Sequence, residues 1–247
     1  MKKRLLSMAM VCCIALGLCG CRAVVSGVAG AVASGIMEKE DVKLLVQGNL
    51  DEIYLDKTTP EYRDLVGETE EESHEFYMTG VEQEADFFAY YWCIYDEYLD
   101  ETYEDVDPAL QDKIVALLDE IYAHSKYEVL SLELQNDGDY MAEISIEPID
   151  VMELASDLYD NDAYEPLNAF FAKYPDDAVE AMSDEEYHAY STEYGELIVQ
   201  MVEEQLPNLG YKEAITKVLR IETDEEGYLS FNDEDLMAID EYIILYP

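Results

Sequence analysis

The sequence predicts an α+β fold in which long helices pack on a small antiparallel sheet made from two hairpin-like units. Apolar residues recur at helical spacing through much of residues 38–247, which predicts amphipathic helices. Two stretches, residues 126–147 and 213–222, instead alternate between apolar and polar side chains, as half-buried strands do. No low-complexity linker divides residues 38–247, so we expect them to form one acidic domain.

The first two helices are indicated by spacing and by a cap. Residues at helical spacing mark the first helix: Val42, Leu45, Asn49 and Ile53. The second helix begins at a capping box of Thr69 and Glu72, in which each side chain accepts a hydrogen bond from the other residue's backbone. We expect this helix to continue through residues 84–99.

Residues 87–98 of that predicted helix read FFAYYWCIYDEY, which is aromatic almost all round. A helix that is apolar on every side is typical of a buried core element. Cys93 within it is then interpreted as a small buried hydrophobe. The alternative is a groove in which tyrosine rings and carboxylates face a ligand, such as a cationic peptide or a glycan. A glycan is the less favoured of these ligands, because Trp92 is the only tryptophan available to stack on a sugar.

A third helix and the first hairpin follow. Asp107 is a favourable N-cap and Pro108 is favoured at a first helical position. The apolar face of this helix is formed by Ile114, Leu117, Leu118 and Ile121. Residues 126–135 and 139–147 are then predicted to pair as antiparallel strands around the turn Asn136-Asp137-Gly138. Pro148 ends this hairpin.

The last part of the chain repeats this arrangement. A helix starts at about Ile149, and Ser183 with Glu186 forms a second capping box before another long helix. Pro207 and Gly210 end that helix. Residues 213–222, an acidic turn with Gly227 and the short stretch YLSF form the second hairpin, and Asn232 and Asp235 occupy the cap and capping-box positions of a closing helix. The similarity of the two hairpin units suggests an internal repeat, with chance similarity in an acidic sequence as the alternative.

The N-terminus has the features of a bacterial secretion signal. A basic start, MKKR, is followed by an uncharged stretch that ends in Leu18-Cys19-Gly20-Cys21. These four residues resemble the lipobox of bacterial lipoproteins, and the resemblance implies cleavage between Gly20 and Cys21 with a diacylglycerol on Cys21. We therefore expect a signal peptide at 1–20, a lipid anchor and tether at 21–37, and an extracytoplasmic domain at 38–247. An uncleaved signal anchor is the alternative.

Cysteine use follows from this processing. Cys12, Cys13 and Cys19 would leave with the signal, and Cys21 would carry lipid. Only Cys93 would remain as a thiol, which excludes an intramolecular disulfide in the mature protein. The domain must then be stabilised by its core alone.

The charge is strongly negative. The full chain carries 14 basic and 58 acidic residues, and removal of residues 1–20 would take away three basic residues and no acid. Eleven basic against 58 acidic residues give a mature net charge of −47. No basic patch is available to contact phosphates, so nucleic acid is excluded as a partner. Membrane attachment must come from the N-terminal lipid.

The layout resembles that of uncharacterised surface lipoproteins of Gram-positive anaerobic bacteria. The segments that carry the resemblance are LCGC, DVKLLVQGNLDEIY, the YEV…NDGDY…ISIEPID hairpin and GYLSFNDEDLMAIDEYI. The resemblance implies an extracytoplasmic α+β domain, in some cases similar to nuclear-transport-factor-like or cystatin-like folds. It implies no catalytic motif that can be transferred to positions of this chain.

The sequence contains no recognisable catalytic or metal-binding motif. With 58 acidic residues, the spacing of two carboxylates along the chain carries no information about acid–base chemistry. The three histidines, His74, His124 and His188, fall on three different predicted helices and have no metal-ligand spacing. No nucleophile motif accompanies Cys93. We therefore predict no catalytic residues, no metal ligands and no cofactor.

One segment echoes a calcium loop. Glu222, Asp224 and Glu226 alternate, Gly227 stands sixth and Asp233 twelfth, as in an EF-hand. The first and twelfth positions carry the wrong acids, and a strand rather than a helix is predicted before the loop. We interpret it as a turn between a strand and a helix.

The sequence thus favours a lipid-anchored, non-catalytic protein on the extracytoplasmic face of the cell membrane. Its acidic domain would bind a partner such as a cationic peptide, a protein or a glycan. Two alternatives stay open, an envelope enzyme with a carboxylate-lined pocket and a divalent-cation-binding structural protein.

Overall fold

A computed structural model describes residues 38–95, 101–224 and 229–247. The α-helices are α1 (Lys39–Leu55), α2 (Pro60–Val66), α3 (Glu70–Tyr91), α4 (Pro108–Tyr122), α5 (Val151–Asp160), α6 (Glu165–Lys173), α7 (Asp176–Val179), α8 (Asp184–Glu203) and α9 (Asp233–Asp240). The strands are β1 (Tyr127–Leu134), β2 (Tyr140–Ile146), β3 (Ile215–Thr223) and β4 (Leu229–Phe231). The predicted α+β class is confirmed.

The two hairpins form one antiparallel sheet with the strand order β1-β2-β3-β4. Tyr140 pairs with both Leu134 and Ile221, so β2 joins the first hairpin to the second. Along β2 the buried residues are Tyr140, Ala142, Ile144 and Ile146, while their neighbours are half-buried or exposed. One face of the sheet therefore packs on the helices, as is usual for antiparallel sheets. That residues 213–222 join this sheet is confirmed, and duplication of the unit stays a prediction.

The predicted helix starts are confirmed because they depend on local hydrogen bonds. Thr69 with Glu72 opens α3 and Ser183 with Glu186 opens α8, each as a complete capping box. Asp107 accepts hydrogen bonds at the start of α4. The helix α2 was not predicted, although Thr59 and Pro60 at its start are a recognised N-terminal signal.

The prediction for the end of the second helix was wrong. α3 ends at Tyr91 because Cys93 takes a left-handed conformation, with φ of 53°. The N–H of Cys93 donates to the carbonyl of Tyr90, and that of Ile94 donates to the carbonyl of Ala89, which is the Schellman pattern of a helix end. This turn leaves Cys93 exposed and not buried as predicted. The last residues of the predicted helix, 96–99, lie outside the described part.

Asp235 also differs from the prediction. Asn232 caps α9 by accepting from the N–H of Asp235 at 3.1 Å. The carboxylate of Asp235 does not complete a capping box, because it accepts from the backbone N–H of Arg220 on β3 at 2.9 Å. This contact ties α9 to the sheet. The core of the domain lies between the helices and the inner face of the sheet.

Candidate functional site

Two acidic side chains from distant parts of the sequence meet where α3 and α9 approach each other. Glu84 lies in the middle of α3, and Asp240 is the last residue of α9. Both residues are half-buried, and their carboxyl groups are turned into the protein and influence each other's titration. We refer to these two residues as the carboxylate pair.

Three tyrosines donate hydrogen bonds to the carboxylate pair. The hydroxyl of Tyr246 lies 2.7 Å from Oε1 of Glu84, and Tyr122 at the end of α4 also bonds Glu84. Tyr54, from the last turn of α1, bonds Asp240. The site is thus assembled from the ends of α1, α4 and α9, the middle of α3 and the C-terminal segment.

Loss of solvation raises the pKa values of both acids of the carboxylate pair. The pKa of Glu84 is raised to about 7, mainly by burial and then by the charge of Asp240, while the tyrosine hydrogen bonds act in the opposite direction. Burial also raises the pKa of Asp240 to about 6. The raised pKa values make the pair carry a proton at a higher pH than exposed acids do. Within the described residues, no lysine or arginine forms an ion pair with Glu84.

Aromatic rings surround Tyr246, the tyrosine that bonds Glu84. The ring of Tyr246 lies edge-on to that of Phe87, with centroids 4.9 Å apart, and at the same distance from that of Tyr91. All three rings are half-buried. Tyr91 in turn lies edge-on to the buried Trp92 at 5.3 Å. Carboxylates flanked by aromatic faces are the arrangement that recognises ammonium and guanidinium groups.

None of the residues singled out from the sequence as possible sites belongs to the carboxylate pair. Gly20 and Cys21, the predicted cleavage and lipidation residues, lie outside the described residues. His74 bonds Asp56, with Nδ1 2.8 Å from Oδ2, on the outside of the domain. His188 lies on α8, and His124 lies just beyond the end of α4. In the described part, no three acidic, histidine or cysteine side chains are grouped so as to hold a metal ion.

The segment at 222–233 that resembles a calcium loop begins within a strand. Glu222 belongs to β3, and its carboxylate accepts from the amide of Asn232 at 2.8 Å, which closes the base of the second hairpin. Residues 225–228 of the loop lie outside the described residues. The strand predicted before the loop is confirmed.

Sequence reasoning missed Glu84, Asp240 and their tyrosine partners. Nothing in the spacing of these residues sets them apart, since carboxylates occur throughout the chain. The one available signal was the aromatic stretch at the end of α3. The sequence analysis had offered a groove of tyrosine rings and carboxylates as one interpretation of that stretch. The structure brings Phe87 and Tyr91 of that stretch beside the carboxylate pair.

Comparison with known proteins shows that this chain shares its fold with a solved structure. No protein-family model matches the sequence, and no curated protein matches it. A crystal structure of YcdA from Bacillus subtilis, described as a candidate lipoprotein, is similar with a TM-score of 0.51 and 15% identity. The match covers 83% of this chain and 56% of that protein, so the chain spans little more than half the length of its structural neighbour. No helix in the described ranges is long and apolar enough to cross a membrane.

Proposed function

We propose that this chain is a lipid-anchored bacterial surface protein whose acidic domain binds a cationic partner at the carboxylate pair. The anchor is supported by the lipobox at residues 18–21 and by the kind of protein that shares the fold. Binding is supported by one observation above all. Glu84 and Asp240 are two half-buried acids that lie close enough for the charge of Asp240 to act on Glu84, and Tyr246, which bonds Glu84, packs against the rings of Phe87 and Tyr91.

The chemistry of the carboxylate pair favours a primary amine or a guanidinium. Two desolvated carboxyls repel each other, and a bound cation would relieve that repulsion in place of a proton. The tyrosine hydroxyls hold the carboxylates in place, and the ring faces offer cation–π contacts worth about 0.5–2 kcal/mol. The net charge of −47 would draw a cationic peptide toward the domain over a longer range.

The anchor is tested by changing Cys21. In the bacterial cell, the wild-type chain should incorporate labelled fatty acid and begin at Cys21 after processing. Cys21→Ala should block the labelling and leave an unprocessed precursor, while Cys19→Ala should leave both unchanged. Labelling that persists in Cys21→Ala would refute the anchor without affecting the binding proposal.

Binding is tested by titrating the purified protein with a short peptide that carries one lysine, followed by NMR of the tyrosine side chains. We expect selective shifts of the ring signals of Tyr91 and Tyr246. Acetylation of the lysine should abolish these shifts because it removes the charge. Uniform small shifts across the domain would indicate only weak attraction to the acidic surface and would refute a specific site.

An enzyme is the second candidate, and one observation favours it. The raised pKa values of Glu84 and Asp240, about 7 and about 6, suit a general acid and a general base working near neutral pH. In that case the cationic ligand would be turned over rather than retained. Recovery of the unaltered peptide after prolonged incubation would favour the binding function, and its conversion would favour the enzyme.

A further inference from the structure

We propose that a divalent cation, with calcium the best match, binds at a second site formed by four oxygen-bearing side chains: Asn49, Glu52, Glu68 and Ser73. We refer to this group as the oxygen cluster. It lies where α1, the loop after α2 and the start of α3 meet. It is separate from the carboxylate pair and from the calcium-like segment at 222–233.

Three members of the oxygen cluster have buried oxygen atoms without a hydrogen-bond partner. They are Oδ1 of Asn49, Oε1 of Glu52 and Oγ of Ser73, and the three residues are only 7%, 3% and 3% exposed. A buried polar atom without a partner costs roughly 1–3 kcal/mol, so such atoms are rare in folded proteins. Three such atoms on neighbouring residues offer oxygen ligands to a bound cation.

The members of the oxygen cluster are linked to one another through Tyr62 and Glu68. Tyr62 donates to Oε2 of Glu52 at 2.7 Å, which leaves Oε1 available. Asn49 stands one helical turn before Glu52 on α1, so the two share a face, and it also bonds the Tyr62 hydroxyl. The carboxyl of Glu68 faces that of Glu52 and lies beside the hydroxyl of Ser73. Tyr62 thus fixes the orientation of the Glu52 carboxylate through a hydrogen bond, as residues that bond to metal ligands do at metal sites.

The position of Tyr62 is itself fixed by close packing. Its ring lies against Gly48 of α1, where an added Cβ would stand 2.1 Å from the Tyr62 ring. Only a glycine allows this approach, which brings the Tyr62 hydroxyl to Glu52. The fold therefore holds the buried carboxylate in one orientation.

The charge of the oxygen cluster calls for a cation. Within the described ranges, neither Glu52 nor Glu68 forms an ion pair with a lysine or arginine. A buried carboxylate without a basic partner, such as that of Glu52, is costly, and a divalent cation beside it would balance its charge.

Calcium suits the oxygen cluster better than magnesium. It accepts carboxylate, carboxamide and other oxygens in irregular arrangements of six to eight ligands, whereas magnesium requires a nearly regular octahedron and keeps most of its water. The protein would supply two carboxylates and two neutral oxygens. Glu68 belongs to an exposed loop position, so water can complete the coordination from that side and the cation has a path of entry.

The test is a calcium titration of the purified protein, followed by thermal melting and by calorimetry. We expect a saturable rise in melting temperature and one bound calcium per chain, with magnesium or sodium chloride of equal ionic strength giving a much smaller rise. Glu68→Gln should weaken calcium binding at least about tenfold. Its control is Glu61→Gln on α2, an exposed acid outside the oxygen cluster, which should bind calcium like the wild type.

Two further results decide the proposal. Asp240→Asn should keep the calcium response, which separates this site from the carboxylate pair. Glu68→Gln should remain folded, because Glu68 lies at the surface, and its circular dichroism spectrum checks this. Absence of a saturable calcium response in the wild type would overturn the proposal, as would an unchanged affinity in Glu68→Gln. In either case the oxygen cluster is accounted for by the contacts among its own side chains and by water.

Discussion

The hydroxyl of Tyr246 donates a hydrogen bond of 2.7 Å to Oε1 of Glu84, across 162 residues of sequence. This contact fastens the C-terminal segment to the middle of α3 and holds one acid of the carboxylate pair in place. The ring of the same tyrosine packs against those of Phe87 and Tyr91. One side chain thus contributes both to the stability of the domain and to the proposed site.

Removing this hydroxyl should destabilise the domain. Tyr246→Phe keeps the ring contacts and deprives Glu84 of a donor, so we expect a loss of about 1–3 kcal/mol in the free energy of unfolding. The pKa of Glu84 should rise further, because the lost hydrogen bond favours the charged form. Urea unfolding at mildly alkaline pH measures the loss.

The control for this change is Tyr211→Phe. The hydroxyl of Tyr211 donates to the exposed carbonyl of His124 at 2.9 Å, which water can replace. Its removal should cost at most about 0.5–1 kcal/mol. Equal losses in the two variants would show that the bond to Glu84 has no special weight.

Stability should fall as the pH rises from mildly acidic to alkaline. Burial raises the pKa values of Glu84 and Asp240 above those of the unfolded chain. At a pH between the unfolded and the folded pKa values, the folded state therefore binds more protons than the unfolded state. Their contribution is fully present below the unfolded value and is lost as the pH passes about 6 to about 7. Melting temperatures measured across this range should therefore decrease.

Glu84→Gln should flatten this pH dependence, since the amide cannot ionise. We expect its melting temperature to exceed that of the wild type at alkaline pH by about 2–4 °C for each kcal/mol of relieved repulsion. Glu82→Gln, an exposed change on the same helix, should keep the slope of the wild type. An unchanged slope in Glu84→Gln would assign the pH dependence to other acids.

The capping box at Ser183 should contribute measurably to the stability of α8. Ser183→Ala removes the acceptor of the N–H of Glu186, and such changes cost about 0.5–2 kcal/mol. Thermal unfolding gives the difference. Ser191→Ala is the control, because Ser191 bonds only the carbonyl of His188 in the exposed middle of the helix. A cost no larger than that of the control would argue against the cap.

Monovalent salt should stabilise the domain. A mature net charge of −47 produces repulsion between parts of the folded chain, and salt screens it. We expect the melting temperature to rise steadily with sodium chloride and without saturation at low concentration. A decrease would show that attractive ion pairs such as Lys173 with Glu193 outweigh the repulsion.

The sequence predicted those features that depend on neighbouring residues. Thr69 with Glu72 marks a helix start because both partners lie within one turn, and Asn136-Asp137-Gly138 marks a turn for the same reason. The end of α3 was missed because a cysteine, not a glycine, takes the left-handed position at residue 93. The carboxylate pair was missed because its contacts join α3 to the C-terminal segment, and among 58 acids no pattern distinguishes the two that meet.

The central claim is that the carboxylate pair binds a cationic group, and the fluorescence of Trp92 tests it most directly. Trp92 is the only tryptophan of the chain and contacts Tyr91 at the edge of the site, so it should report occupancy. We predict that a peptide with one lysine binds saturably, one per chain, at physiological salt. Asp240→Asn should weaken the affinity by about tenfold or more, which is about 1.4 kcal/mol, and Glu82→Gln should not. Equal affinities in the wild type, Asp240→Asn and Glu82→Gln, or no saturable binding to any of them, would contradict the account.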